Sequence, residues 1–214
     1  MRLDHVSYVA SHDQISDVVN RIGSQIGTAF VDGGIHPKFG TRNFTAPVLN
    51  GQYIEVVCPM DHPATDSTPF GKAVKNKARD GGGWLAWVFS STDISEVEVK
   101  LNRTSVLGYR TRPDGTKLEW KQIGINKVVE SSEFPFFIQW VSANHPSLDG
   151  KPVAKIKAIE IVSENKLVNS FFKSEIESAT SEIDIKWNNL EELHLPTGIR
   201  QITFDVNHKE IIIE

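Results

Sequence analysis

Two residues of this chain have side chains suited to acid–base chemistry, and both interrupt apolar strand patterns. His5 lies in the alternating segment LDHVSYVA, and Glu55 lies in QYIEVV, where both strand faces are otherwise apolar. An imidazole titrates near neutral pH, so His5 could be a general base or a metal ligand. A buried carboxylate is costly unless it is paired or metal-bound. The sequence therefore predicts that Glu55 and His5 are catalytic; the alternatives are a His5 satisfied by a neighbour and a Glu55 salt bridge to Arg42 or Arg112.

Other polar residues fall where they could line a ligand site. Gln139 lies between Phe137 and Val141 in an apolar strand pattern. The segment Gly33–Asn43 is Gly-rich and polar, which predicts a loop, but it lacks the lysine and hydroxyl ending of a phosphate-binding loop. Arg42 is its natural binder of a substrate carboxylate. The alternative is a connecting loop whose polar groups are solvated. The predicted substrate-binding residues of this segment are His36, Thr41, Arg42 and Asn43.

His5, Glu55 and Gln139 lie on the first or last strand of a strand, helix and hairpin pattern that occurs twice in the sequence. A strand, an amphipathic helix and a hairpin run through Leu3–Val57, and the same order recurs in Gly82–Val141. Such a unit has an open sheet edge, so it must pair with a second unit to bury its face. Asn50-Gly51 predicts a tight hairpin in the first copy. The helix of that copy carries an apolar stripe at helical spacing, formed by Ile15, Val18, Val19, Ile22 and Ile26.

The rest of the chain supplies a bridge and a third copy. Pro69 after Thr68 predicts a bridging helix over residues 68–80. Residues 152–214 repeat the strand, helix and hairpin order, and the last hairpin turns at Asn207-His208. We therefore expect a domain of residues 1–145 and a third, shortened βαβββ-like module over residues 152–214. Since a lone module has an exposed edge, this module should pack on the first two or pair across a two-fold axis in a homodimer.

Composition narrows the classes of function. The 214 residues are 39% hydrophobic and 23% charged, which is ordinary for a globular protein. The formal net charge is −4, and Lys and Arg are scattered, so we expect no nucleic-acid or membrane partner. No apolar run approaches the ~18 residues of a membrane span. A strand pattern that begins at Leu3 leaves no room for a signal peptide, and the single Cys58 excludes an internal disulfide, so we expect a cytoplasmic protein.

The pattern as a whole resembles the vicinal oxygen chelate superfamily and its glyoxalase-like domains. The similar segments run in order from about Leu3 to Val141 and are LDHVSYV, GGIHPKFGTRN, QYIEVV, FGKAV, GGGWLAWVF, RPDGT and PFFIQW. The resemblance implies an α+β fold in which paired βαβββ modules form a cupped half-barrel sheet. The superfamily includes lyases, isomerases, extradiol dioxygenases and proteins that only sequester antibiotics, so the likeness does not fix a reaction.

The resemblance also implies a metal site, because metal-using members take ligands from the first and last strands of each module. The matching positions are His5, Glu55 and Gln139. The fourth position falls near Trp84–Ala86 and has no ligating side chain, so the set for one divalent ion (Zn, Ni, Mn or Fe) is incomplete without an extra ligand such as His145. Trp84 is instead a candidate wall of the substrate pocket.

We therefore expect a small-molecule enzyme of the lyase or isomerase type. It would transfer a proton next to a carbonyl or vicinal oxygens, with a metal as Lewis acid or with His5 and Glu55 alone. The alternative from another class is a protein that binds or sequesters a small organic compound without chemistry. In a third interpretation the polar residues pair internally and leave no pocket.

Overall fold

The computed structural model describes residues 1–126, 132–163, 168–189 and 195–214. Within these ranges the strands are β1 (Arg2–Val9), β2 (Val31–His36), β3 (Thr41–Val48), β4 (Gln52–Pro59), β5 (Gly83–Ser90), β6 (Val106–Thr111), β7 (Lys117–Ile123), β8 (Phe136–Trp140), β9 (Ala154–Ser163), β10 (Asp184–Asn189), β11 (Gly198–Val206) and β12 (Lys209–Ile213). The helices are α1 (Ile15–Ile26), α2 (Pro63–Ser67), α3 (Pro69–Arg79), α4 (Ser95–Leu101) and α5 (Val168–Ala179), with a 3-10 turn at Pro146–Leu148.

The first eight strands curl into one closed barrel in the order β1–β4–β3–β2–β6–β7–β8–β5. Each half contributes four strands, and the order β1–β4–β3–β2 of the first half recurs as β5–β8–β7–β6 in the second. The predicted α+β class is confirmed, but the sheet is a closed barrel and not a half-barrel. It closes because β5 pairs with β1 and β6 pairs with β2, which leaves neither half with a free edge.

The two seams that join the halves differ in extent. Along the first, β1 pairs with β5 from Arg2 opposite Ser90 to Val9 opposite Gly83. Along the second, β2 and β6 are in register only where Ile35 lies opposite Thr111. The halves are therefore joined continuously on one side of the barrel and over a short stretch on the other.

The segment Gly33–Asn43, predicted to be a loop, is mostly strand. β2 continues to His36 and β3 begins at Thr41, so only the turn at residues 37–40 joins them. The prediction was wrong because the glycines were taken as signals of a loop. Gly33 instead lies at a bulge of β2, where the pairing with β3 shifts between Asp32 and Gly34.

Other turn and cap signals of the sequence are confirmed. Asn50 and Gly51 both have positive φ, 64° and 68°, as a two-residue hairpin turn of this kind requires. The predicted bridging helix is α3. Thr68 is its N-cap, its hydroxyl accepts a backbone N–H of the first turn, and Pro69 occupies the first helical position.

The C-terminal segment forms a second sheet in the order β10–β9–β11–β12. Its final hairpin turns at Asn207 and His208, both with positive φ, as predicted. Its first strand, β9, lies between β10 and β11, whereas β1 and β5 each pair with the last strand of their own half. The strand order therefore differs from that of the barrel halves. The division into domains of residues 1–145 and 152–214 stays a prediction.

The second sheet packs on the outer surface of the barrel. The indole N–H of Trp84 in β5 donates to the carbonyl oxygen of Ile213 at 2.8 Å, and its ring lies 6.4 Å from that of Phe204. Ile22 and Ile26 of α1 are buried in the same apolar cluster. None of the helices in the described ranges has the length and apolar character needed to cross a membrane.

Candidate functional site

A bulge in β1 brings Asp4 and His5 together at the barrel interior. Leu3 pairs with Phe89 and His5 pairs with Val88, so Asp4 is the extra residue between them. The bulge reverses the alternation at this point: Leu3 joins the outer apolar cluster, while His5 lines the interior cavity. Leu3 and His5 therefore do not share a face, contrary to the simple strand pattern.

Asp4 is fully buried and holds two histidines. Its Oδ1 lies 2.9 Å from Nδ1 of His5, and its Oδ2 lies 3.1 Å from Nε2 of His145. Arg2 and the Trp140 indole also donate to it, at 3.2 Å and 3.3 Å. Burial by itself raises the pKa of Asp4, but the hydrogen bonds from His145 and His5, together with the charge interactions with these two histidines, hold that pKa well below its usual range. Asp4 is therefore a carboxylate at neutral pH.

The Asp4 carboxylate orients the imidazole of His5. An ionised carboxylate only accepts hydrogen bonds, so it favours the tautomer of His5 that carries its proton on Nδ1. The lone pair then lies on Nε2. The ring is further fixed by stacking on Tyr53, with centroids 4.4 Å apart and planes 19° apart. His5 is thus held as a potential proton acceptor by a residue that was not among the predicted site residues.

Glu55 belongs to a buried chain of hydrogen bonds. The Ser7 hydroxyl and the Asn43 amide donate to its two oxygens, each at 2.7 Å. The Asn43 amide oxygen in turn accepts from Nη1 of Arg110 at 2.9 Å. Burial alone raises the pKa of Glu55, but the charge interactions with His5 and His36 and these hydrogen bonds together lower it. The carboxylate is ionised, and both of its oxygens are already engaged.

His36 is a neutral histidine in the same interior. Its Nδ1 lies 3.1 Å from the hydroxyl oxygen of Thr41, which is completely buried. Burial lowers the pKa of His36 to about 4, since the charged imidazolium loses its hydration there. Near pH 7 the ring therefore adds hydrogen-bonding capacity to the interior without adding charge.

These side chains face one small cavity inside the barrel. Its polar lining includes His5, His36, Asn43, Tyr53, Glu55, Arg110 and Gln122. Aromatic rings form much of the remaining wall, among them Phe70 of α3 and Trp120 of β7. The space open to the centres of water molecules is about 40 Å³, which holds about three waters. The cavity can therefore take the reacting end of a molecule and not the whole of a large one.

Three predicted site residues lie elsewhere. Gln139 points to the opposite side of β8 from Ile138, where its amide donates to the Thr92 carbonyl at 2.7 Å, because neighbouring residues of a strand alternate. Arg42 faces outward on β3 and pairs with Asp32. Trp84 lies beneath the second sheet, as described above. Gln139, Arg42 and Trp84 therefore do not line the cavity, because the alternation of their strands turns these side chains outward.

The residues present do not form the expected metal site. With Gln139 on the outer side of β8, only His5 and Glu55 of the three predicted ligands face the cavity. Both oxygens of Glu55 accept hydrogen bonds. The interior of β5 offers Ala86 and Val88, which are not ligands. In the described part of the chain, no three His, Cys, Asp or Glu residues are grouped so that they could hold an ion.

Three residues of the site were missed by the sequence predictions. Asp4 was overlooked because simple alternation places it opposite His5, and nothing in LDHVSYVA marks a bulge. Arg110 was overlooked because arginine in a strand is usually solvated. A signal existed in the same segment: Gly108 shares its face, and a glycine within a strand often marks a close approach. Gln122 is buried beside Trp120, whose indole donates to it at 2.7 Å.

Replacing Trp84 with Phe should test the structural role assigned to it. The variant keeps most of the ring packing but leaves the Ile213 carbonyl without its indole donor. We expect the free energy of unfolding to fall by about 1–2 kcal/mol in urea titrations. Ligand binding should not change, because Trp84 lies on the outer side of the barrel. A loss of binding without a loss of stability would return Trp84 to the ligand site.

The comparisons with known proteins identify the family. The glyoxalase-like domain family model matches residues 3–172. A hypothetical protein from Staphylococcus aureus has a similar structure, with a TM-score of 0.57 and 16% identity over 99% of this chain and 84% of that chain. Methylmalonyl-CoA epimerase from Mycobacterium tuberculosis is more distant, with a TM-score of 0.43 and 14% identity over 65% of this chain and 86% of that chain. No curated protein matches the chain. The family model covers most of the sequence, so the chain belongs to the glyoxalase-like domain family of the vicinal oxygen chelate superfamily.

Proposed function

We propose that the protein moves a proton on a small organic molecule at a carbon next to a carbonyl group, as an isomerase or lyase does. The observation that carries the proposal is the Asp4–His5 pair, which presents an oriented imidazole to a buried polar cavity. An imidazole held in one tautomer by a carboxylate is well suited to general base catalysis near neutral pH.

The proposed step uses His5 as the base. Its Nε2 takes the proton from the carbon, the electron pair of the broken C–H bond forms a carbon–carbon double bond, and the π pair of the carbonyl moves onto its oxygen to give an enolate. Return of a proton to the opposite face of the carbon or to a neighbouring atom completes an isomerisation, and loss of a leaving group from the neighbouring carbon would instead complete an elimination. Asp4 stabilises the imidazolium that forms in between, because it stays ionised beside Nδ1.

Glu55 is assigned a supporting role in this proposal. Both of its oxygens accept hydrogen bonds from Ser7 and Asn43, so it is less available than His5 as a base. Its negative charge lies in the same cavity and attracts the positive charge that His5 carries after it has taken the proton. The predicted catalytic role of Glu55 therefore becomes electrostatic, while that of His5 is retained.

A binding function without chemistry is the second candidate. It is favoured by the hydrogen-bond chain from Ser7 through Glu55 and Asn43 to Arg110, in which both oxygens of Glu55 already accept hydrogen bonds before any ligand enters. Such a chain makes a rigid, selective pocket whether or not a bond is broken. The two candidates differ in one respect that can be measured, namely whether protons of a bound molecule are exchanged.

Proton exchange with solvent provides the test. The protein is incubated in D₂O with a panel of small aldehydes, ketones and 2-oxo acids, and loss of the α-proton signal is followed by NMR. We expect at least one compound to exchange faster than in buffer, and His5→Gln to slow that exchange by about 100-fold or more. The surface variant His208→Gln is the matched control and should retain the wild-type rate. Binding of a compound without exchange would favour the second candidate.

A further inference from the structure

Arg110 is a buried cation without a carboxylate in direct contact. Its side chain is on β6 and only 2% of the residue is exposed. The guanidinium is charged at any pH that the protein experiences. Within the described residues its hydrogen-bond partners are the Gly33 carbonyl oxygen and the Asn43 amide oxygen, both neutral. The carboxylate of Glu55 is reached only through Asn43. A buried charge in such a position is costly unless an anion compensates it.

The guanidinium also has more donors than these partners use. Arginine offers five N–H groups in a planar fork, and both partners bind the single nitrogen Nη1. The side chain lines the cavity, so the remaining donors border the space that a ligand would enter. The fork geometry matches the two oxygens of a carboxylate.

A second donor group borders the same space. The amide oxygen of Gln122 accepts the indole N–H of Trp120, so the amide nitrogen is the group that Gln122 can offer to a ligand. The cavity has room for only about three waters, so attraction between a charge and its partner is screened less there than in bulk water. The negative charge of Glu55 opposes an entering anion, but its two oxygens are held by Ser7 and Asn43 and are turned to those donors.

We propose that Arg110, with Gln122 beside it, forms an anion-binding subsite inside the barrel that takes the carboxylate of a small organic acid. The planar fork of the Arg110 guanidinium matches the two coplanar oxygens of a carboxylate, so a carboxylic acid is the class of anion that we propose. This subsite deepens the proposed function, on which it rests for the identity of its ligand: the molecule acted on by His5 would be an acid that also carries a carbonyl.

The experiment compares acids with their uncharged amides. Binding of acetate and pyruvate to the wild-type protein is measured by calorimetry in a low-chloride buffer, beside acetamide and pyruvamide. We expect each acid to bind about tenfold or more tightly than its amide, as hydrogen bonds to charged groups allow. Equal binding of acids and amides, or no binding of either acid, would overturn the proposal without any variant being made.

Variants locate the subsite within the chain. Arg110→Lys keeps the charge but loses the fork and should weaken pyruvate binding about tenfold, and Arg110→Met should abolish the preference for acids. The exposed Arg103→Lys is the matched control and should bind pyruvate as the wild type does. If Arg110→Met does not fold, Gln122→Leu is used, and it should weaken acid binding more than amide binding. Unchanged binding in Arg110→Lys would place the anion elsewhere.

The outcomes also separate this inference from the proposed function. Acid-selective binding that depends on Arg110, with no proton exchange in D₂O, supports the subsite and contradicts the enzyme. Proton exchange that depends on His5 but is equally fast for acids and amides supports the enzyme and overturns the subsite.

Discussion

Asp4→Asn should reduce the proton-exchange activity by about 10²- to 10⁴-fold, the usual contribution of a general base. The amide of asparagine can donate as well as accept, so it no longer enforces the tautomer with the proton on Nδ1 of His5. It also no longer offsets the positive charge that His5 acquires. Rates of exchange for wild type and variant, measured with the same compound, give the effect directly. A rate within threefold of wild type would show that Asp4 does not act through His5.

The same substitution should change how stability depends on pH. The pKa of Asp4 in the folded protein lies below its usual value. Its contribution to stability is therefore complete above the pKa of the unfolded chain and is lost as pH falls toward the folded pKa. We expect Asp4→Asn to lower the free energy of unfolding at pH 7 by about 3 kcal/mol. As the pH is lowered, the free energy of unfolding of the variant should fall less steeply than that of the wild type. Urea titrations between pH 7 and pH 2 provide the measurement, since the loss begins near the unfolded pKa of 3.8 and continues below pH 3. The exposed Asp61→Asn is a control that should follow the wild type.

Gly33→Ala should disrupt the packing around Arg110 and Asn43, on the side of the barrel opposite Asp4. A Cβ at this position would lie 2.0 Å from Nη1 of Arg110 and 2.2 Å from the amide oxygen of Asn43. Either the arginine or the asparagine must move, which leaves buried polar groups without partners. We expect a loss of about 3 kcal/mol in stability together with loss of the preference for acids.

A glycine with open surroundings separates this clash from the cost of losing glycine's backbone freedom. Gly81 has φ of 104° and no atom within 4 Å of an added Cβ. Gly81→Ala should therefore show only the backbone cost, about 1 kcal/mol, with acid binding unchanged. If Gly33→Ala were no more destabilising than Gly81→Ala, the tight packing around Arg110 would be contradicted.

The elements of the fold could largely be predicted from the sequence because their signals are local. Apolar periodicity marked α1, the Thr68-Pro69 pair marked α3, and positive φ at Asn50 and Gly51 followed from the residue types. The strand order of the C-terminal sheet could not be predicted in this way. The order depends on which strands pair with one another in the sheet. In addition, β10 has no clear alternation of apolar and polar residues that would predict a strand.

The candidate site could be predicted only in part, because side-chain direction depends on register. His5, Glu55, His36 and Asn43 do line the interior. Glu55 and Asn43 follow the simple alternation of β4 and β3, whereas the bulge at Asp4 shifts the alternation of β1 next to His5. Gln139 was placed by aligning it with Glu55, and a shift of one residue along a strand turns a side chain to the other face. Asp4 was lost for a related reason, because a bulge of one residue is invisible in a pattern of period two.

The unequal seams of the barrel have a consequence for how the molecule fluctuates. The β2–β6 seam is short in backbone pairing, and the hydrogen bond from Arg110 to the Gly33 carbonyl crosses it. Local opening begins where the fewest backbone bonds must break, so amide hydrogens along β2 and β6 should exchange with solvent before those of β1 and β5. Arg110 binds the proposed ligand and also bridges the β2–β6 seam. A ligand in the cavity should therefore reduce the local opening of this seam. Protection of the β2 and β6 amides would then rise with ligand concentration, and the rest of the barrel would respond much less.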